Sequence, residues 1–213
     1  MAALKSELQL SLRHPLTVGQ YQQILHHLTA DTDRIISLTN SLLLLARTLE
    51  SSARWNRSPV LLDDVVFAVR DELLSAWPDY RIDVRFSTLS QSDEHPQVPG
   101  DELLLRRMLL NLIDNACKYS PDHRADVCIA QDKDACRISI ADTGIGIAPD
   151  QLEHIFEPFY RADNARMHDG FGLGLSICQR IAELHRGHVG VVSRLGEGTT
   201  FTVVLPLTGA SVV

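Results

Sequence analysis

Apolar residues recur at steps of three and four between Asp101 and Ser120, and this spacing predicts an amphipathic helix at the centre of the chain. Asp101 can cap the N-terminus of the helix, and the step from Ser120 to Pro121 ends it. The apolar positions that set the spacing are Leu105, Met108, Leu109, Leu112, Ile113 and Ala116. The rest of the chain is organised on either side of this helix.

Only helical spacing precedes residue 52. Residues 1–13 predict a short helix, and a long helix is predicted from about Thr17 to Leu49. The long helix carries a heptad seam at Ile35, Leu38, Leu42, Leu45 and Leu49. We therefore predict an antiparallel helical hairpin over residues 1–52, which packs either on a second copy or on the remainder of its own chain. A heptad seam suits helical partners better than a sheet, so the sequence favours a homodimer.

Residues 57–213 alternate between helical and strand-like patterns, which predicts a second domain. Asp63 is expected to cap a helix that ends near Trp77, and another helix is expected from Leu175 to His185. Strands are predicted at Val60–Leu62, Tyr80–Phe86, near Val98, at Asp126–Ala130, Arg137–Ala141, His188–Arg194 and Thr200–Leu205. The fold class is therefore α+β, a two-layer α/β sandwich with three helices on one mixed sheet, preceded by the hairpin.

The central helix carries a polar stripe of Asn111, Asn115 and Lys118. These residues are four and three apart, so they share one face of the helix. Amide oxygens can face a hydrated cation and an ammonium can face a polyphosphate. From the helix alone, two solvated asparagines on an exposed face are the more common arrangement.

Two glycine-rich turns come after this helix. Residues 142–147 (DTGIGI) end a predicted strand, where a carboxylate can accept a hydrogen bond from an exocyclic amine and glycines let backbone approach a flat ring. Residues 170–175 (GFGLGL) open a predicted helix, whose backbone N–H groups can bind phosphate. Each turn is weak as a single signal. The paired asparagines and the two turns, in this order, indicate a nucleotide site.

With these motifs the chain resembles the catalytic half of the sensor histidine kinases of bacterial two-component systems. Residues 111–121 (NLIDNACKYSP) are similar to the N box of that family, and DTGIGI is similar to its G1 box. The F box, the G2 box and the last glycine turn correspond to residues 156–161 (FEPFYR), 170–175 (GFGLGL) and 196–201 (GEGTTF). The resemblance covers about residues 57–207 and implies a Bergerat-type ATP-binding fold.

The resemblance also implies a role for each matching residue, with ATP and Mg²⁺ as the cofactors. Asn115 would be a Mg²⁺ ligand, and Asn111 would lie near it in the hydration shell of the metal. Lys118 and Tyr119 would flank phosphate and nucleoside, and Asp142 would accept a hydrogen bond from the adenine amine. The other residues implied at the ATP site are Gly144, Gly146, Ile147, Gly170, Gly172, Leu173, Gly174, Leu175 and Thr199.

A mobile ATP lid is implied for residues 156–172, which are polar and contain glycine. Arg161 on this lid either reaches the γ-phosphate or stays solvated, and the sequence leaves both readings open. Without nucleotide, residues 161–172 are expected to be mobile, because they have little apolar surface to bury.

The hairpin resembles the dimerisation and histidine-phosphotransfer domain of the same family. Residues 13–17 (RHPLT) differ from its H box, because Pro15 and no acid comes after His14. Residues 3–8 (ALKSEL) instead resemble the segment directly C-terminal to an H box. The resemblance thus implies an acceptor histidine before Met1, so no catalytic residue is assigned and this chain alone is not expected to phosphorylate itself.

Composition and charge indicate which partners and which compartment to expect for the protein. The net charge of −7 without a basic block argues against nucleic acid as a partner. Four cysteines without CxxC spacing indicate buried thiols in a reducing cytoplasm. His185 is interpreted as closing a helix, where a cation is favourable, rather than as a metal ligand. The longest apolar run, Leu42–Ala46, is too short to span a membrane. We therefore expect a cytoplasmic region, anchored to a membrane only through segments absent from this sequence.

The predicted function is ATP-dependent histidine kinase activity, with a response-regulator receiver domain as the partner that takes the phosphoryl group. Two alternatives stay open from the sequence. One is a nucleotide-binding, dimerising scaffold without kinase activity. The other is a serine kinase of the anti-sigma type, which shares the ATP boxes, although the helical hairpin counts against it.

Overall fold

The computed structural model describes residues 17–29, 58–87, 96–162 and 171–207, together with residues 32, 35 and 39. The chain divides into two compact units, Met1–Ala46 and Arg47–Val213. In the first unit, residues 18–29 form helix α1. Its start is a capping box, because the Thr17 N–H donates to Gln20 Oε1 at 2.9 Å and Thr17 Oγ1 accepts from the Gln20 N–H at 3.4 Å.

Most of the predicted hairpin lies outside the described residues. Ile24 and Leu28 of α1 are half-buried, and Ile35 is helical and exposed. His26 and His27 are exposed, as expected for surface positions. Leu38, Leu42, Leu45 and Leu49 of the seam, His14 and the predicted helix at residues 1–13 all lie outside the described part of the chain.

The elements of the second unit occur in the predicted order with small shifts at their ends. Strands and helices alternate as β1 (Ser58–Leu61), α2 (Leu62–Ala76), β2 (Arg81–Phe86), β3 (Gln97–Gly100), α3 (Glu102–Tyr119), β4 (Arg124–Gln131), β5 (Ala135–Asp142), α4 (Gly174–Leu184), β6 (His188–Arg194) and β7 (Gly198–Pro206). The predicted hairpin between β4 and β5 is confirmed. Its turn is closed by Asp132 Oδ1, which accepts from the N–H groups of Asp134 and Ala135.

Five strands form one mixed sheet in the order β2-β4-β5-β7-β6. Strand β2 runs parallel to β4, and the other neighbouring pairs are antiparallel. Strands β1 and β3 pair separately as a short antiparallel ribbon, with Val60 opposite Val98. The mixed sheet is therefore confirmed, although the sequence did not indicate that these two short strands stand apart from it.

Helices α2, α3 and α4 cover one face of the sheet, with α3 between the other two. Fully buried side chains of α3 include Leu105, Met108, Leu109, Leu112 and Ile113, and the sheet contributes Ile138, Ile140, Val203 and Leu205 to the core. Helix α3 contacts β4 and β5. Burying an aliphatic side chain of this size stabilises the fold by roughly 1.5–3 kcal/mol. The two-layer α/β sandwich is confirmed.

The predicted ends of α3 are confirmed, whereas the predicted start of α2 is wrong. Asp101 Oδ1 accepts from the Leu104 N–H at 3.2 Å, and Ser120 is the C-terminal cap. Helix α2 instead starts at Leu62 with Leu61 as the N-cap, directly after β1, so Asp63 is not a cap but a buried residue of the first turn. A carboxylate there still interacts favourably with the helix dipole, which explains why the pattern resembled a cap.

His185 is the C-terminal cap of α4, as the sequence suggested, and its side chain also joins two helices. The side chain is 8% exposed, its Nδ1 lies 2.7 Å from the Ile181 carbonyl oxygen, and its Nε2 lies 3.0 Å from the Asp101 backbone nitrogen. Because the Asp101 N–H can only donate, Nε2 accepts and Nδ1 carries the proton that reaches Ile181. The imidazole is therefore a neutral link between the end of α4 and the start of α3, rather than a cation at a helix end.

Replacing His185 with alanine is expected to lower the free energy of unfolding by about 2–3 kcal/mol, because the Asp101 N–H loses its partner and a cavity forms. Urea unfolding followed by circular dichroism measures this loss. His188→Ala, three residues further on at an exposed position, is the control and should stay within about 0.5 kcal/mol of the native chain. Equal stability of the two variants would show that the link does not hold α3 and α4 together.

Candidate functional site

The carboxylate of Asp142 ends β5 and is held through one of its two oxygens. Asp142 Oδ1 accepts from the Gly144 N–H at 2.8 Å and from the Thr199 N–H at 3.2 Å. Within the described residues, Oδ2 makes no hydrogen bond to the protein. Burial raises the pKa of Asp142, and the two backbone hydrogen bonds oppose that shift. The result is a fixed carboxylate with one oxygen open to a ligand that donates hydrogen bonds.

The glycines of the DTGIGI turn are needed because neighbouring backbone approaches them closely. A Cβ on Gly144 would overlap the Tyr119 carbonyl oxygen, at the end of α3. Gly146 has φ of +64°, and a Cβ there would overlap the Arg194 carbonyl oxygen. The turn is therefore packed between the end of α3 and the β6–β7 turn. At its end, the Ile147 N–H donates to Ser193 Oγ at 2.9 Å.

Three polar residues form a row across β5, β7 and β6, at the end of the sheet where β5 finishes. Asp142 is directly opposite Thr199 on β7, and Thr199 is directly opposite Ser193 on β6. Directly paired residues of antiparallel strands point to the same face, which here is the face covered by the helices. Ser193 Oγ lies 2.9 Å from Thr199 Oγ1 and 2.8 Å from the Gly198 carbonyl oxygen.

The paired asparagines of α3 lie next to the start of α4. A Cβ on Gly174, the first residue of α4, would lie 3.1 Å from Asn111 Oδ1, a contact so tight that the amide would have to shift by a few tenths of an ångström. Asn111 and Asn115 are half-buried, and neither side chain makes a hydrogen bond within the described residues. Leu173 is buried as the N-cap of α4, and Leu175 is half-buried in its first turn.

The chemistry of the asparagine pair fits a magnesium ion. Amide oxygens are ligands that Mg²⁺ accepts, and Mg²⁺ in enzymes commonly keeps several waters and binds substrate phosphates, so few protein ligands are needed. Among the described residues there is no group of three or more His, Cys, Asp or Glu side chains placed to hold a metal. Two half-buried amides beside a helix N-terminus therefore suit a metal that arrives together with a phosphate ligand.

Lys118, Tyr119 and Arg161 form a third group at the site, and all three are half-buried. Lys118 Nζ lies 5.8 Å from the centroid of the Tyr119 ring. Burial raises the pKa of the Tyr119 hydroxyl, and the positive charge of Arg161 opposes this shift, so the guanidinium acts on the phenol. Two cations thus lie near one aromatic ring.

The two described ends of the predicted lid, residues 156–162 and 171–172, are joined to each other. Phe159 and Gly172 both adopt left-handed backbone, with φ of +67° and +71°, and the Phe159 N–H donates to the Gly172 carbonyl oxygen at 2.9 Å. Phe159 is 61% exposed. Residues 163–170, which include Gly170 and the middle of the predicted lid, lie outside the described residues.

Comparison with known proteins identifies the family. Residues 100–209 match the family described as histidine kinase-, DNA gyrase B- and HSP90-like ATPases. The chain belongs to this family. Among its ATPase relatives, the sensor histidine kinase RppB of Synechocystis sp. is 35% identical over the full length of this chain, which corresponds to 46% of RppB.

Solved structures of such ATPases place the chain with sensor kinases. The mycobacterial sensor histidine kinase MprB is similar with a TM-score of 0.61 and 30% identity, over 71% of this chain and 97% of that chain. Full-length ShkA, solved in complex with AMPPNP, is similar with a TM-score of 0.70 and 30% identity, over 93% of this chain and 41% of that chain. The Bergerat-type fold is therefore confirmed. The chain spans about half the length of the curated relatives that it matches most strongly.

Within this ATPase fold, the structure brings most of the predicted residues into three neighbouring groups. The first group contains Asp142, Gly144, Gly146, Ile147 and Thr199. The second contains Asn111 and Gly174 at the start of α4. The third contains Lys118, Tyr119 and Arg161. Their roles toward ATP stay predictions. Sequence reasoning missed Ser193. The three-residue turn at 195–197 would have located it, since that turn sets Ser193 opposite Thr199.

The four cysteines do not contribute to the site. All four are free thiols, and Cys128 and Cys136 are not opposite each other on the hairpin, since Cys128 pairs with Ser139 and Cys136 with Gln131. Burial raises the pKa of Cys117 and Cys136 to about 12, so these thiols are protonated at neutral pH. None of the helices in the described part of the chain is long and apolar enough to cross a membrane.

Proposed function

We propose that this chain is the ATP-binding catalytic region of a sensor histidine kinase, which transfers the γ-phosphoryl group of ATP to a histidine. From that histidine the group passes to an aspartate of a response regulator. The observation that carries the proposal is the Asp142 carboxylate, which is anchored through Oδ1 and leaves Oδ2 open beside a glycine turn. This is an arrangement suited to the amine of an adenine ring that lies flat against backbone.

Each group of the site then has one task in binding ATP. Asp142 Oδ2 accepts from the exocyclic amine of adenine, and Gly144 leaves room for the ring edge. Tyr119 flanks the nucleoside, and Lys118 is directed to the phosphates. Arg161 acts on the same ring as Lys118, which supports a second cation near the γ-phosphate rather than a solvated side chain.

The phosphate end is proposed to use the asparagines and the start of α4. Asn115 holds Mg²⁺, and Asn111 contacts its hydration shell. A Mg²⁺ held there by these residues would supply positive charge toward the phosphates. The first N–H groups of α4, which begin at Gly174 beside Asn111, contact the phosphates. Catalysis in this scheme consists of positioning the γ-phosphoryl group and stabilising its charge.

The partners are proposed from the same assignment. A receiver domain of a response regulator takes the phosphoryl group, and the hairpin of residues 1–52 joins two copies of the chain. The setting is the cytoplasm, with any membrane anchor supplied by segments outside this sequence. The scaffold alternative uses the same ATP site and differs only in the absence of transfer, so a transfer experiment separates the two.

Incubation of this chain with γ-labelled ATP and Mg²⁺ is expected to leave no phosphohistidine on the chain itself. In sequence, His14 is followed by Pro15, which fixes the local backbone, and no adjacent carboxylate is present to orient the imidazole. Adding a helix that carries the H box of a similar sensor kinase should give a label that is labile in acid and stable in base. Scintillation counting after acid and base treatment measures it.

Two variants make this transfer experiment decisive. The added helix with its histidine replaced by glutamine should stay unlabelled, which shows that the label is on that side chain. Labelling of the native chain alone that disappears in His14→Ala would contradict the assignment of the acceptor. ATP binding without any transfer to the added helix would favour the scaffold.

A further inference from the structure

Ser193 contacts two separate segments of the nucleotide site although no motif includes it. It lies on β6, opposite Thr199 of β7, which in turn lies opposite Asp142 of β5. Its hydroxyl is within hydrogen-bond distance of the Ile147 N–H at 2.9 Å, the Gly198 carbonyl oxygen at 2.8 Å and Thr199 Oγ1 at 2.9 Å. Ser193 is therefore two strands away from the carboxylate but linked to it through Thr199.

The direction of each of these hydrogen bonds is determined by the chemistry of the partners. A serine hydroxyl has one proton to donate and two lone pairs that accept. The Gly198 carbonyl can only accept, so it takes the Ser193 proton, and the Ile147 N–H can only donate, so it uses one lone pair of Oγ. The remaining lone pair faces Thr199 Oγ1, and Thr199 must therefore be the donor in that bond.

Thr199 has consequently no proton left for a ligand. Its backbone N–H is bound to Asp142 Oδ1, and its hydroxyl proton is bound to Ser193 Oγ. The Gly144 N–H is also used by Asp142 Oδ1. The side chains that remain at this corner, Asp142 Oδ2 and Thr199 Oγ1, offer lone pairs and no proton.

We propose that Ser193 is a positioning residue for base selection, which holds the Thr199 hydroxyl as an acceptor so that the pocket takes a purine with a 6-amino group and rejects one with a 6-oxo group. This inference rests on the proposed function, since it assumes that a purine nucleotide binds at Asp142. Adenine presents a donor at position 6, which two acceptors satisfy. Hypoxanthine presents an acceptor there, which would face two further acceptors with no proton between them.

The probes are ATP and inosine triphosphate (ITP), which differ in the base at position 6 and the adjacent N1. Binding of both to the full chain is measured by calorimetry with Mg²⁺. The native chain should bind ATP far more tightly than ITP. In Ser193→Ala the Thr199 hydroxyl is released and can turn its proton to the 6-oxo group, so the ratio of the two dissociation constants should fall about tenfold, the effect of one hydrogen bond.

Ser139→Ala is the matched control, because Ser139 is also a half-buried strand serine whose hydroxyl lies near a cross-strand threonine, Thr202, at 3.5 Å. Ser139 lies on β5 three residues before Asp142, so its side chain points to the other face of the sheet. The ratio of the ATP and ITP dissociation constants should therefore not change. Ser193→Thr, which keeps the hydroxyl, should restore the native ratio. Thermal unfolding of each variant accompanies the titrations.

The outcomes separate the inference from the proposed function. If the native chain binds no ATP, the proposed function is overturned. If it binds ATP and Ser193→Ala weakens the binding of ATP and of ITP by the same factor, Ser193 only supports the fold and the inference is overturned. The inference is supported if the ratio of the ITP to the ATP dissociation constant falls in Ser193→Ala and keeps its native value in Ser193→Thr and Ser139→Ala. This holds even when Ser193→Ala is less stable.

Discussion

Replacing Asp142 with asparagine is expected to weaken ATP binding by about 100-fold to 1000-fold. A hydrogen bond to a charged acceptor contributes roughly 1.5–3 kcal/mol, and this bond is lost. A second effect adds to it. The Gly144 and Thr199 N–H groups require an acceptor at the Oδ1 position, so the amide of an asparagine must place its NH₂ group where Oδ2 was. A donor then faces the adenine amine, at a cost of roughly 1–3 kcal/mol.

Calorimetric titration with Mg²⁺ and ATP measures this loss. Asp126→Asn is the matched control, because Asp126 is a strand carboxylate on neighbouring β4 that pairs with Arg85 and Arg124 at the surface. That control should bind ATP like the native chain and lose at most about 1 kcal/mol of stability. Unchanged ATP affinity in Asp142→Asn would remove this carboxylate from the nucleotide site.

The parts of the site that the sequence predicted are those determined by short motifs. Asp142 and the glycines of the same turn are within five residues of each other, and Asn111 and Asn115 are one helical turn apart. In each case local geometry determines how the residues are placed, so spacing is sufficient. The alternation of β5 and the helical period of α3 then place both groups at the helix-covered side of the sheet.

The parts that the sequence did not predict depend on contacts between distant segments. Ser193 acts on Asp142 through the register of three strands, and His185 reaches the Asp101 N–H across 84 residues. The Tyr80 hydroxyl likewise donates to Asp114 at 3.0 Å, between the turn after α2 and the middle of α3. Apart from the short turn that sets Ser193 opposite Thr199, a single sequence carries no signal for these contacts, because each needs the packing of whole elements before its two members meet.

The asparagine pair on α3 is the feature for which the helix alone and the whole sequence favoured different interpretations. The spacing by itself favoured two solvated side chains. Both amides are half-buried, Asn111 lies beside Gly174, and neither amide has a hydrogen-bond partner within the described residues. The polar atoms of neither amide are among the described side-chain atoms that are both fully buried and without a partner, so water or a ligand can reach them.

Asn115→Ala is therefore expected to leave the fold at least as stable and to weaken binding of the magnesium–ATP complex by about 10-fold to 100-fold. ATP without Mg²⁺ should bind the variant and the native chain within about twofold, because the amide acts on the metal. Calorimetry with Mg²⁺ and with a chelator gives the two affinities, and urea unfolding excludes misfolding as the cause. Leu103→Ala, at an exposed position of the same helix, is the control and should change neither affinity. Equal losses with and without Mg²⁺ would show that Asn115 contacts the nucleotide itself, and the metal would then have to be held elsewhere.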